Sequence, residues 1–281
     1  MALKVRTPTA MNPQNFKTPE IVSPAEWRER RKALLADEKA LTRQRDRLNE
    51  TRRALPMVEI TKDYVFDTSE GTKHLTDLFE GRHQLVIYHF MFEPGDPPAD
   101  KSGEPWDEGC SGCSFMADNV GHLSHFHARD TTLAFISRAT LQKIAPFKAR
   151  MGWDFPWHSS YGSDFNYDFH VTTDESVIPV EYNYQDKATL EKKGETYHIH
   201  GEQPGISVFL SLDGKIYHTY STYGRGMEMA LGTLHFLDLT PFGRGEGWGG
   251  MPDLDGNGIF WTRHHDKYQA DAPESSCCHA D

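Results

Sequence analysis

Cysteine is scarce in this chain, with four copies among 281 residues. That is too few to staple a fold of this length, so a disulfide scaffold is excluded. Long apolar runs are absent as well. The longest, Leu85–Phe92, is interrupted by His89 and falls far short of the roughly 20 residues needed to cross a bilayer. No apolar segment follows the first methionine, so a secretory leader is not expected, and the expected setting is the cytoplasm, with no membrane partner. A surplus of positive charge is lacking: the formal net charge is −11, which argues against nucleic acid as a partner. The sequence has no phosphate-binding loop, zinc-protease helix or nucleophile elbow.

What the chain does have is rings and an uneven charge. Sixteen Phe, eleven Tyr and six Trp suggest a core built largely from aromatic packing. Residues 1–22 are polar and proline-dotted and read as an irregular arm. A helix is expected over 23–56, starting with Ser23 as N-cap, Pro24 at the first helical position and Glu26 completing a capping box. Trp27, Leu34, Leu41, Leu48 and Leu55 recur every seventh residue, while the complementary seam holds Arg31, Glu38, Arg45 and Arg52. This narrow apolar line is expected to lie across the helix's own domain, with a homodimer contact as the alternative.

Residues 57–240 read as one α/β domain, and 241–281 as an irregular extension. "YVFDTSEGTKHLTDLF" reads as a strand, a turn and a short helix, and "HQLVIYHFMF" as a buried strand. A loop rich in Pro, Gly and Asp follows, and a helix is expected to run from the cysteine pair to about His127. "TTLAFIS" is a second buried strand. A helix within Leu141–Met151 should stop at Gly152, with Pro146 marking a kink or a late start. An aromatic, irregular insertion covers 153–204. Two strands joined at Asp213-Gly214 then form a hairpin, and a helix is expected over Gly226–Phe236.

The stretch "WDEGCSGCSFMADN" carries the chemistry. Cys110 and Cys113 lie one helical turn apart at an expected helix start, where the free N–H groups and the positive end of the dipole favour a thiolate. A thiolate at Cys110 attacks a disulfide, and Cys113 is placed to resolve the mixed disulfide. Asp107 and Glu108, just before the pair, oppose that charge. Three readings stay open: a redox dithiol, a metal site and a structural pair.

Together with "LVIYHFMF", "ARDTTLAFISRA", "FKARMGWDFPWHSS", "GSDFNYDF", "HTYSTYGRG" and "LDLTP", this stretch resembles a bacterial family of thioredoxin-like proteins catalogued as domain of unknown function 899. The resemblance implies a thioredoxin-like mixed sheet flanked by helices and, by analogy, dithiol chemistry. It puts Cys110 at the nucleophile position and Cys113 at the resolving position. The expected partner is a protein or small-molecule disulfide or thiol, with no cofactor required. The sequence departs from thioredoxin in having Gly109 before the pair and Ser111-Gly112 inside it, and Pro204 is the nearest match to the cis-proline. The peroxiredoxin Pro and Thr slots hold Gly103 and Asp107, which speaks against a peroxidase.

An alternative metal protein would hold copper(I) or zinc on Cys110, Cys113 and His218. Trp106, Asp107, Ser111, Tyr167, His218, Tyr220 and Tyr223 are candidates for the pocket wall. A third reading is a binding module whose cysteines are idle. His122, His125 and His127 are read as a polar helix end, and His198 and His200 as unrelated to a cupin site. Asp253, Asp255 and Asn257 begin like a calcium loop, but His264 stands where a bidentate Glu is needed. Cys277, Cys278 and His279 read as a tail.

Overall fold

The computed structural model describes residues 18–98, 103–244 and 261–268. The expected arm falls mostly outside this range, and its last described residues form neither helix nor strand. Asp253, Asp255 and Asn257 of the calcium-like loop and the Cys277, Cys278 and His279 tail also lie outside it.

The first helix, α1 (Pro24–Arg53), starts as expected: the Ser23 side chain accepts the Glu26 N–H at 3.2 Å. Its placement corrects the expectation that it lies across its own domain. No residue of α1 is buried, and Trp27, Leu34, Leu41, Leu48 and Leu55 are 47–66% exposed. One apolar residue per two turns, flanked by charge, offers too little surface to bind a helix to a core. The helix is instead laced along its own length, by Arg30 to Glu20 and Glu26 and by Arg31 to Glu38.

The strands that follow are β1 (Val58–Ile60), β2 (Val65–Thr68), β3 (Gly71–His74) and β4 (Gln84–His89). The stretch expected as strand, turn and helix is therefore the β2–β3 hairpin followed by one 3-10 turn, Asp77–Phe79. Then come α2 (Ser111–Asp118), α3 (Leu123–His127), β5 (Thr131–Ser137), α4 (Leu141–Arg150), β6 (Trp157–Ser159) and α5 (Phe165–Asp168). The insertion contributes two small ladders, β7 (Thr172–Thr173) with β10 (Gly201–Glu202), and β8 (Glu181–Tyr182) with β9 (Gln185–Asp186), plus α6 (Lys187–Lys192). The chain continues through β11 (Gly205–Leu212), β12 (Lys215–Tyr223), a 3-10 segment Gly224–Ala230 and α7 (Gly232–Leu237).

Eight strands form one sheet in the order β1-β12-β11-β4-β5-β6-β2-β3. At its centre β4 and β5 are parallel, β11 runs antiparallel to β4, and β12 runs antiparallel to β11. With α2 opening after β4, this is the thioredoxin-like α/β core; β1 extends one edge, and β6, β2 and β3 the other. The hairpin between β11 and β12 turns at Asp213 (φ 52°) and Gly214 (φ 75°), the left-handed pair that an Asp-Gly step supplies.

The sheet separates two cores. Along β4, Leu85 and Ile87 face one side, among Phe66, Phe165, Phe169 and Phe209, while Tyr88 and then Phe90 face the other, among Cys113, Phe115, Phe147 and Trp157. This two-residue alternation fixes which face receives the cysteine helix.

Three helices depart from expectation; the one expected over Gly226–Phe236 is a 3-10 segment to Ala230 followed by the short α7. The cysteine helix ends at Asp118, and His122 caps α3 with its own ring nitrogen, accepting the Ser124 N–H at 3.2 Å. Gly121 and the Asn119 side chain account for the break. Asn119 donates to the Phe115 carbonyl at 2.7 Å and accepts the Thr233 N–H at 2.7 Å, capping α7 from a distance. Asn119→Ala is expected to cost about 1 kcal/mol, read as a lower urea midpoint with unchanged slope. Helix α4 starts without delay at Leu141 and carries Pro146 inside it, and Gly152 (φ 65°) ends its last turn. Among the described residues no helix is long and apolar enough to cross a membrane.

Candidate functional site

The end of β4 and the start of α2 are clamped together by backbone. Cys110 donates its N–H to the Met91 carbonyl at 3.1 Å, and Met91 donates its own to the Cys113 sulfur at 3.4 Å. Cys110 is the N-cap of α2 and half-buried; Cys113, one turn on, is buried. Both are free thiols, and each shifts the other's pKa. Tyr88, from the strand below, and Tyr197 both sit close enough to feel the charge on either sulfur.

The charge of this pair rests on the inner sulfur. Burial opposes a thiolate at Cys113, but hydrogen bonds from the Cys110 thiol, the Tyr88 hydroxyl and the Met91 N–H outweigh it and hold its pKa below the ordinary thiol range. The Cys110 thiol is pushed well up because it donates to Cys113, is desolvated and faces the Cys113 and Glu104 charges. Burial, followed by the neighbouring Cys113 charge, keeps Tyr88 a protonated donor.

This corrects the expectation that the helix start favours a thiolate at Cys110. The Cys110 side chain caps no N–H; the first one, at Ser111, is taken by the Glu104 carboxylate. A carboxylate is a stronger acceptor than a thiol and displaces it from that role. Nor are the two preceding acids the ones that oppose Cys110. Asp107 turns away to accept the Gly103 N–H at 2.7 Å, and Glu108 is bound by Arg150 and Lys267.

Among the expected pocket residues, Ser111 lies at the site through its N–H, and Trp106 and Asp107 belong to the turn just before it. Tyr167 packs under Arg138, 4.9 Å from the guanidinium carbon to the ring centre, and Tyr220 lies under Arg52 of α1. The Tyr223 hydroxyl donates to the Phe169 carbonyl at 3.0 Å in the opposite core. The expected copper or zinc triad does not assemble. His218 packs against Phe169 and Phe209, across the sheet from Cys113. There it ends a buried polar chain: His218 to Ser221 at 2.8 Å, Ser221 to Ser207 at 2.8 Å, and Ser207 to His89 at 2.9 Å.

The reason is a bulge. Tyr220 pairs with Val208 and His218 with Phe209, so Thr219 is the extra residue and these two side chains, two apart in sequence, point to opposite faces. The cis peptide among the described residues precedes Pro105, so the bond before Pro204 is trans. His198 stacks on Tyr182 and bonds Gln203 at 2.7 Å, while Glu202 is held elsewhere, by Arg138.

Sequence reasoning missed Tyr88, Tyr197, Glu104 and His264 as members of this site. Strand alternation would have found Tyr88, which shares a face with Phe90. His264 arrives from the C-terminal extension, fully buried, and its Nε2–H donates to the Gly109 carbonyl at 2.6 Å.

The model of a family described as "Bacterial protein of unknown function (DUF899)" matches residues 16–268. The chain belongs to this family. Among curated proteins none matches it. Solved structures similar to this DUF899 member include PrxQ of Xylella fastidiosa, at 15% identity and a TM-score of 0.38, covering 64% of this chain and 94% of that one. Peroxiredoxin Q of Xanthomonas campestris is similar at 17% identity and a TM-score of 0.38, covering 66% and 98%. Peroxidoxin BcpB of Mycobacterium tuberculosis is similar at 15% identity and a TM-score of 0.35, covering 65% and 97%.

Proposed function

We propose that this DUF899 protein is a thiol–disulfide oxidoreductase whose dithiol is Cys110 and Cys113. The observation that carries this reading is the division of labour between two neighbouring sulfurs: one half-buried at a helix cap, the other buried one turn on and accepting the Met91 N–H. As Cys110 attacks a substrate disulfide, its proton passes to the neighbouring Cys113. A Cys110–substrate disulfide forms and one substrate thiolate leaves. Cys113 then gives that proton to the departing thiolate and attacks the Cys110 sulfur. The second substrate thiol is released with a proton taken from solvent, and the Cys110–Cys113 disulfide remains. Two electrons move from the protein dithiol to the substrate disulfide. The chemistry needs no cofactor, and its substrate is a disulfide of a protein or a small molecule. A reducing compartment such as the cytoplasm would keep the pair in the dithiol state.

The test is a redox titration of the full chain against glutathione, with Cys110→Ser and Cys113→Ser beside it. A reversible two-electron couple is expected for the wild type and for neither variant. Cys113→Ser should accumulate a mixed disulfide at Cys110 that the wild type resolves. Absence of a couple in the wild type, or unchanged disulfide reduction by Cys110→Ser, would remove the proposal. Alkylation supplies a second readout: because access limits the buried sulfur, iodoacetamide should modify partly exposed Cys110 before buried Cys113, as read by peptide mass.

A further inference from the structure

The geometry points to a binding site for a divalent transition-metal ion of the zinc class, formed by His264 Nδ1 with the carboxylates of Glu104 and Glu108. One ligand atom from each of these three residues lies within 4.8 Å of the others. Two acids beside a histidine would be unremarkable on a surface, but His264 is fully buried and its Nδ1 has no hydrogen-bond partner. Its other nitrogen is committed: Nε2–H donates to the Gly109 carbonyl at 2.6 Å. That bond holds the ring from behind, as a backbone carbonyl does behind a metal-ligating histidine, and leaves Nδ1 toward Glu108.

The unpartnered Nδ1 thus meets the Glu108 carboxylate at the centre of this cluster. Nδ1 lies 3.5 Å from Glu108 Oε2, long for a charged hydrogen bond. It matches the separation of about 3.3 Å between two ligands bound at roughly 2.0–2.1 Å around a tetrahedral zinc. Glu104 Oε1 is 3.9 Å from the same imidazole, at Nε2, and its Oε2 accepts the Ser111 N–H, which anchors the carboxylate. Glu108 is steered by Arg150 (2.8 Å) and Lys267, and Arg150 is in turn held by Asp266 at 3.0 Å. One imidazole and two carboxylates suit zinc and its neighbours, and three protein ligands leave the fourth position open. The site would tie the 261–268 segment to the residues that precede Cys110. It uses neither sulfur of the dithiol, although Glu104 also accepts the N–H at the start of the cysteine helix.

The probe is Zn²⁺, titrated calorimetrically into the full chain and into a variant with all four cysteines replaced by serine, which removes every thiolate ligand. One ion per chain is expected in both. His264→Ala and Glu104→Gln, each made in the cysteine-free background, should weaken binding at least tenfold. Because His264 is buried and its replacement can unfold the chain, the exposed Glu104 serves as the second variant. Zn²⁺ should raise the melting temperature of the cysteine-free protein and leave that of its Glu104→Gln form unchanged. Loss of binding on removal of the cysteines, or affinity within twofold of the parent in Glu104→Gln, overturns the assignment.

Discussion

Replacing Phe90 by alanine is expected to cost about 3–5 kcal/mol, because the ring is central to the core beneath the cysteines and its space cannot close. Phe90 is 1% exposed. Its ring centre lies 4.4 Å from that of Trp157 and between 6.1 and 6.4 Å from those of Trp153, Phe147, Phe135 and Tyr88. The same ring supports the loop before the cysteines: a Cβ added at Gly109 would lie 2.5 Å from Phe90 Cε1 and 2.8 Å from Phe147 Cε1. Neither atom is the free end of a flexible chain, so Gly109→Ala must move packed rings, at a cost of about 1–3 kcal/mol. The two changes therefore couple. With Phe90 truncated, the new methyl at Gly109 enters the vacated space, and the double variant should cost less than the sum by about 0.5–3 kcal/mol. Urea unfolding of the four proteins measures this. Costs that add to within about 0.3–0.5 kcal/mol would show that Gly109 and this ring are independent.

Stability should fall as pH rises through neutrality, and Glu202 is the reason. Its carboxyl is buried beside Arg138 at 3.1 Å and accepts from Thr172 and Asn166. Burial, followed by repulsion from Glu93, outweighs those donors and pushes its pKa up to about 8. In the unfolded chain the group titrates near 4.5. The native state therefore holds a proton that the unfolded state gives up. The contribution is complete below about pH 4.5 and is lost progressively as pH rises to about 8. At the limit this amounts to roughly 4–5 kcal/mol, at 1.36 kcal/mol per pH unit. Glu202→Gln cannot titrate, so the stability difference between wild type and variant should swing in the variant's favour as pH rises from 5 to 8.5. Parallel stability curves for the two proteins would contradict this account. The measurement also bears on the fold, since Glu202 joins the β7–β10 ladder of the insertion to Arg138, just beyond the end of β5.

Local chemistry was legible in the sequence wherever the deciding contacts lie within a few residues. Ser23-Pro24 starts α1, Asp213-Gly214 turns the hairpin, Gly152 ends α4, and Cys110 opens a helix after a buried strand. These depend on caps, left-handed backbone and strand periodicity, all set by neighbours in the chain. The thioredoxin-like order of strands and helices was also legible, through the resemblance. What only the tertiary structure decided is which distant groups share a volume. Glu104 takes the N–H expected to serve Cys110 because the loop before the helix folds back over its start. His264 reaches Gly109 from 155 residues away. His218 was placed on the wrong face because a single extra residue, Thr219, reverses the alternation of β12, and a bulge leaves no mark in the pattern of apolar and polar residues. The exposed line on α1 carries the same lesson: a heptad spacing shows where apolar side chains lie, and only the fold shows whether anything of the same chain packs against them.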